Sequence, residues 1–122
     1  DDVPDDRPSE SVHGLYPALV AREPGSVRVH ASEAAFFDIG TPADYLATAL
    51  ALAAREGRPP DRGARTRVDP SARVERSLLW DDVEVGAGAE LVDCIVADRV
   101  IVPPGARHRG VVLLPNEAPW TL

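Results

Sequence analysis

Lysine and methionine are missing from this 122-residue chain, and cysteine occurs once, as Cys94. All 13 basic residues are therefore arginine, so chemistry that needs a lysine amine is excluded. One cysteine cannot build an internal disulfide framework or a Cys-based zinc knuckle, and it suits a reducing, cytoplasmic setting. Aromatic residues make up only 5% of a chain that is 44% hydrophobic, so the core is expected to be Val, Leu, Ile and Ala. No apolar run approaches the roughly 20 residues of a membrane span, and the opening residues show no basic-then-apolar leader pattern. Positive charge is also in deficit. Twenty acids against 13 arginines give a formal net charge of -7, which opposes a nucleic-acid or anionic-membrane partner. The missing methionine points to a processed chain or a fragment.

The first ten residues, DDVPDDRPSE, contain five acids and two prolines, and are expected to be flexible or extended. Beyond Gly14, Leu15, Ala18, Leu19 and Val20 suit one or two helical turns, and Val27 and Val29 alternate like a half-buried strand. A longer helix follows Gly40. Thr41 is placed as N-cap, Pro42 at the first helical position and Asp44 as the acid of a capping box. Leu46, Ala49, Leu50 and Ala53 share one face, and Gly57 stands where a left-handed C-terminal residue belongs. The proline-rich stretch RPPDRGAR cannot continue the helix. The sequence is therefore divided into residues 1–57, a linker at 58–65, and residues 66–122.

The last part repeats every seventeen residues, from Thr66, Val83 and Val100. Val68, Val85 and Val102 share a column, as do Ala72, Ala89 and Ala106. Further columns hold Leu78, Ile95 and Val112, then Leu79, Val96 and Leu113, while Val74 and Leu91 align with His108. Turn-formers recur between the first two columns: Asp69-Pro70-Ser71, Gly86-Ala87-Gly88 and Pro103-Pro104-Gly105. Aliphatic and small residues at steps of about six fit short strands joined by corners, stacked about 4.8 Å apart. The period is too short for a helical solenoid, so a parallel β-helix of about three coils is expected, its columns filling the interior. Both ends of such a stack expose strand edges that need cover, and Trp120 is a candidate lid.

Two strings carry a resemblance. FFDIGTPADYL, Phe36 to Leu46, resembles the end of the catalytic domain of sugar-phosphate nucleotidyltransferases of the mannose-1-phosphate guanylyltransferase and glucose-1-phosphate nucleotidyltransferase type. The segment Val68 to Ala106 resembles the hexapeptide-repeat left-handed β-helix that many of these enzymes carry at the C-terminus. The resemblance implies a mixed α/β remnant of the nucleotidyltransferase domain followed by a short left-handed β-helix. It implies transfer of a nucleotidyl group from a nucleoside triphosphate to a sugar 1-phosphate with release of pyrophosphate. It also implies that Asp38, the Asp of the D-x-G-T string, helps bind magnesium in the complete enzyme. The family's Gly-rich phosphate-binding loop ending in Arg has no counterpart here, because Gly86-Ala87-Gly88-Ala89 reads as a β-helix corner. The chain is thus expected to be inactive alone, to need the missing N-terminal catalytic portion, and to use its β-helix for assembly or regulation.

The alternative is a stand-alone β-helix that drives oligomerisation through its edges. A third reading, acyl transfer, would use His108 as the base, although three coils leave little room for a pantetheine groove. His13 and His30 show no ligand spacing and read as surface residues. Cys94 reads as a small packed thiol and Asp81-Asp82 as solvated corner acids. The cluster Arg58, Arg62, Arg65 and Arg67 reads as linker charge rather than an anion site.

Overall fold

A computed structural model describes residues 8, 10–60 and 62–122. The acidic opening segment Asp1–Glu10 lies outside them, apart from Pro8 and Glu10. Contacts divide the chain into one unit ending at Ala35 and a second running Phe36–Leu122.

In the first unit a π-helical turn, Ser11–Leu15, leads into helix α1, Tyr16–Arg22. These are the helical turns expected after Gly14, and none of their residues is buried. Val27 and Val29, by contrast, form no strand, and Val29 is 93% exposed. Alternation marks a surface that could pair, but backbone N–H and C=O groups need an actual neighbouring strand. Among the described residues of 1–57 there is consequently helix and irregular chain but no sheet, and the expected α/β remnant is not realised there.

The second unit begins with α2, Pro42–Arg55. Thr41 caps it as expected: its hydroxyl accepts the Asp44 N–H at 3.1 Å, while the Asp44 carboxylate accepts the Thr41 N–H at 3.0 Å. At the other end Gly57 is left-handed (φ +65°), and the N–H groups of Gly57 and Arg58 donate to Ala54 and Ala53. That pair of bonds is a Schellman stop, which a residue without Cβ makes without strain.

Three parallel sheets follow, each built from one strand per coil. Strands β1 (Arg67–Val68), β4 (Glu84–Val85) and β7 (Ile101–Val102) form one sheet, and β2 (Arg73–Glu75), β5 (Glu90–Val92) and β8 (Arg107–Arg109) the second. The third holds β3 (Leu78–Leu79), β6 (Ile95–Val96) and β9 (Val111–Leu113), closed by an antiparallel strand β10 (Trp120–Thr121). Every parallel pairing is offset by seventeen, as in Arg67↔Glu84, Arg73↔Glu90 and Leu78↔Ile95. The parallel β-helix is therefore as the period predicts, and it starts earlier than Thr66. Arg62 already bridges to Leu79, and Gly63 donates to the Leu79 carbonyl at 2.7 Å.

The interior holds Leu79, Val83, Val85, Ala89, Leu91, Cys94, Val96, Val100, Val102 and Leu113. One expected interior column lies elsewhere. Leu78, Ile95 and Val112 point outward, because side chains alternate across a strand and Leu79, Val96 and Leu113 take the inner side. They are nevertheless buried, in a second cluster with Leu46 and with Ala49, Leu50, Leu114 and Leu122 packed against it. The apolar face of α2 is thus bound to the outer face of the β3–β6–β9 sheet. The helix lies in one unit with the coils, whereas the sequence division into 1–57 and 66–122 had parted them.

Truncating either cluster should separate their contributions. Leu91→Ala, in the middle coil, should cost about 3–4 kcal/mol in urea unfolding, and Leu46→Ala about 2–3 kcal/mol. A loss below about 1 kcal/mol at Leu46 would show that the stack does not depend on its helix.

Candidate functional site

Asp38 sits in irregular, exposed chain three residues before the N-cap of α2. Its neighbours explain why the string DIGTP is built as it is. Gly40 leads into Thr41, Pro42 opens the helix, and the Asp44 carboxylate is occupied by both the N–H and, at 2.7 Å, the hydroxyl of Thr41. Asp44 therefore serves the cap, and Asp38 is the carboxylate of the string with no hydrogen-bond partner among the described residues. Among the described residues no group of three or more His, Cys, Asp or Glu side chains comes together. Magnesium binds through one or two carboxylates completed by water and substrate phosphates, so Asp38 fits as one contributor and not as a site by itself.

The other candidates resolve into structural roles. The Asp81 carboxylate accepts the Ala64 N–H at 2.8 Å, and Asp98 accepts the Asp81 N–H at 2.9 Å. Asp82 takes a two-pronged ion pair from Arg65, at 2.5 and 2.7 Å. These acids are ties between successive coils, a role that the solvated-corner expectation missed and that their spacing of seventeen from Ala64, Arg65 and Asp98 could have signalled. Of the arginine cluster, Arg58 pairs with Glu56, Arg65 with Asp82, and Arg67 with Glu84 at 3.4 Å. His13 pairs with Glu10 at 3.1 Å on the surface, and His30 is exposed.

Cys94 is fully buried, its thiol donating to the Val92 carbonyl at 3.3 Å and its N–H to the Ser77 hydroxyl at 3.0 Å. Burial pushes the thiol pKa up, which suppresses the nucleophilic thiolate. His108 points inward from β8 above Leu91, half-buried at the end of the stack. It lines a half-open cavity of about 700 Å³ floored by Val100, Val102 and Leu113 and edged by the tail Pro115–Pro119. No orienting partner hydrogen-bonds its ring among the described residues, so it lacks the second group that a catalytic base needs. The Gly86–Ala89 stretch is a corner, as expected. A Cβ on Gly86 would lie 2.6 Å from the Pro104 nitrogen, and Gly88 is left-handed (φ +67°).

Residues 63–110 match the family described as GlmU-like, C-terminal hexapeptide. The matched segment runs from the residue after the Arg62 bridge to the residue after β8. A 41-residue stretch is also 44% identical to glucose-1-phosphate adenylyltransferase 2 of Vibrio cholerae serotype O1, covering 34% of this chain and 10% of that relative. The chain resembles the C-terminal part of a sugar-phosphate nucleotidyltransferase. No solved structure matches it. No helix among the described residues is long and apolar enough to cross a membrane.

Two outcomes test these assignments. Hydrogen bonds from Arg65 and Arg76 hold the Asp82 and Asp93 carboxyls below the usual carboxylate range. A lowered folded-state pKa stabilises above the unfolded value and is lost as pH falls through the folded one. The stability gap between the native chain and Arg65→Gln/Arg76→Gln should therefore be widest near neutral pH and close in acid; a pH-independent gap would refute the ties. The Cys94 thiol should resist a disulfide reagent until urea unfolds the chain.

Proposed function

We propose that this chain is the C-terminal part of an enzyme that joins a nucleoside triphosphate to a sugar 1-phosphate and releases pyrophosphate. The observation that carries the reading is the order of parts. A D-x-G-T string runs into a capped helix, and that helix packs directly on a hexapeptide-type β-helix. A left-handed stack is the reading that the hexapeptide resemblance supports. In the complete enzyme Asp38 would contribute one carboxylate to a magnesium ion, which would supply charge neutralisation for the transferred group. Thr41 and Asp44 fix the start of α2 and with it the direction in which the preceding chain leaves Gly40. The triphosphate is gripped by groups from the N-terminal catalytic portion, so this chain alone is inactive. The β-helix serves assembly or regulation, and the single buried thiol fits a cytoplasmic protein.

The second reading, a non-catalytic oligomerisation module, is favoured by β7 and β8, which pair on one side only among the described residues. The DNA upstream of the Asp1 codon decides between them. An in-frame extension carrying a Gly-rich loop with Arg should yield a protein that releases pyrophosphate from nucleoside triphosphate and hexose 1-phosphate. In that protein Asp38→Asn should lower kcat by about 100-fold or more, with a raised magnesium requirement. A stop codon followed by a start site beside Asp1 would overturn the enzyme reading and leave the module.

A further inference from the structure

Trp80 departs from the repeat. Its column continues with Ala97 and Leu114, which are buried and half-buried, whereas Trp80 keeps 42% of its surface exposed. Its backbone is nevertheless held from several sides. The Trp80 N–H donates to the Val96 carbonyl at 2.9 Å, and its own carbonyl accepts the Thr66 hydroxyl at 2.8 Å. The next residue, Asp81, is tied to Ala64 and to Asp98. Gly63 passes so close that a Cβ there would lie 2.3 Å from the Trp80 carbonyl carbon. A large ring thus stands half in solvent on a firmly tied corner of the first coil.

That ring meets the first turn of α2. Trp80 and Tyr45 contact edge to face, with centroids 6.5 Å apart and planes 88° apart, an arrangement that aromatic pairs favour. Tyr45 follows Asp44, which closes the capping box with Thr41, and precedes Leu46, which is buried with Leu78 in the outer cluster. Leu78 and Trp80 point to the same side, because side chains alternate along a strand. Two consecutive residues at the start of α2 are therefore held against the first coil. Helix ends fray unless something holds them. The capping box ties this turn to itself, and the ring pair ties it to the stack. Asp38 lies three residues before the N-cap of the same turn.

We propose that Trp80 is a positioning residue: through Tyr45 it fixes the start of α2, and with it where the Asp38 carboxylate is presented. The inference rests on the role proposed above for Asp38 in nucleotidyl transfer. It gives the β-helix a route to the metal carboxylate through contiguous contacts, from the Trp80 corner to Tyr45, the Thr41–Asp44 cap and Asp38. A change at this corner then alters magnesium binding without touching substrate.

Hydrogen exchange in the full 122-residue chain reads the anchor without any metal. In Trp80→Ala the Thr41 and Asp44 amides should exchange about tenfold faster, while the Gly86 and Glu90 amides, bonded to Val102 and Ala106, keep their protection. Trp80→Phe should restore the native rates, and Tyr45→Leu should act like Trp80→Ala and add nothing to it. Unchanged exchange at Thr41 and Asp44 would overturn the proposal. So would an equal acceleration at Gly86 and Glu90, since the ring would then only stabilise the whole unit. In the protein extended by its catalytic portion, Trp80→Ala should raise the magnesium concentration for half-maximal rate about tenfold, with kcat at saturating magnesium kept within about twofold. An active extended protein with an unchanged magnesium requirement would overturn the positioning role. A native extended protein that transfers no nucleotidyl group would overturn the enzyme reading and, with it, the part of Trp80 in metal binding, while the anchor on α2 stands by the exchange result.

Discussion

Each coil has to close after seventeen residues, so that its backbone hydrogen bonds meet those of the coil before. Three corners per turn make this closure, and the chain reverses at them by leaving the ordinary backbone regions. Arg65, Asp82, Arg99 and Asn116 share one left-handed column, and Arg76, Asp93 and Gly110 share another. Such conformations cost a non-glycine residue roughly 1–2 kcal/mol. They are held by hydrogen bonds between corners, such as Asp82 to Ala64 and Arg99 to Asp81 at 2.9 Å. The side chains at the same positions are those that pair across coils, Arg65 with Asp82 and Arg76 with Asp93. In the first two coils strain and tie occupy the same residues, while the left-handed conformation alone repeats on to Arg99, Asn116 and Gly110.

Much of this was legible because the columns are chemical. Val68, Val85 and Val102 show the period without any structure, and Pro104-Gly105 shows a corner, since proline and then a left-handed glycine suit a tight turn. The capping box of α2 was readable from Thr41, Pro42 and Asp44 alone, because its bonds are local. What lay beyond reading was long-range. Nothing in the period says that Leu78, Ile95 and Val112 face outward, since a wholly apolar Leu-Leu or Ile-Val step hides which side is in. Only the partner face on α2 explains both sides being apolar. Val27 and Val29 show the converse: a strand pattern is a capacity to pair, and among the described residues no strand meets it.

The candidate site was less legible than the fold. Asp38 stands out through resemblance, since an exposed carboxylate before a helix has no geometry of its own that announces a metal. What the structure adds is a division of labour within the string. Asp44 is committed to Thr41, which leaves Asp38 as the acid still available for a ligand. His108 drew notice as an imidazole in an aliphatic column, and its position at the end of the stack accounts for that. The column is buried only where a coil lies on both sides, and the third coil has a neighbour on one.

The same asymmetry bears on how the stack of coils is closed off. A β-helix that repeats faithfully has no reason to end, because each finished coil presents the next with the donors and the apolar floor it needs. Here the repeat is broken at particular atoms: Pro103 withholds a donor, and the tail turns back as β10 to take the edge of β9. Substitution by proline at one edge and antiparallel cover at another leave the end unable to accept a further coil. The apolar interior stays open beside Ile101 all the same. Termination of the ladder and exposure of the core are thus separate properties of one end of the stack.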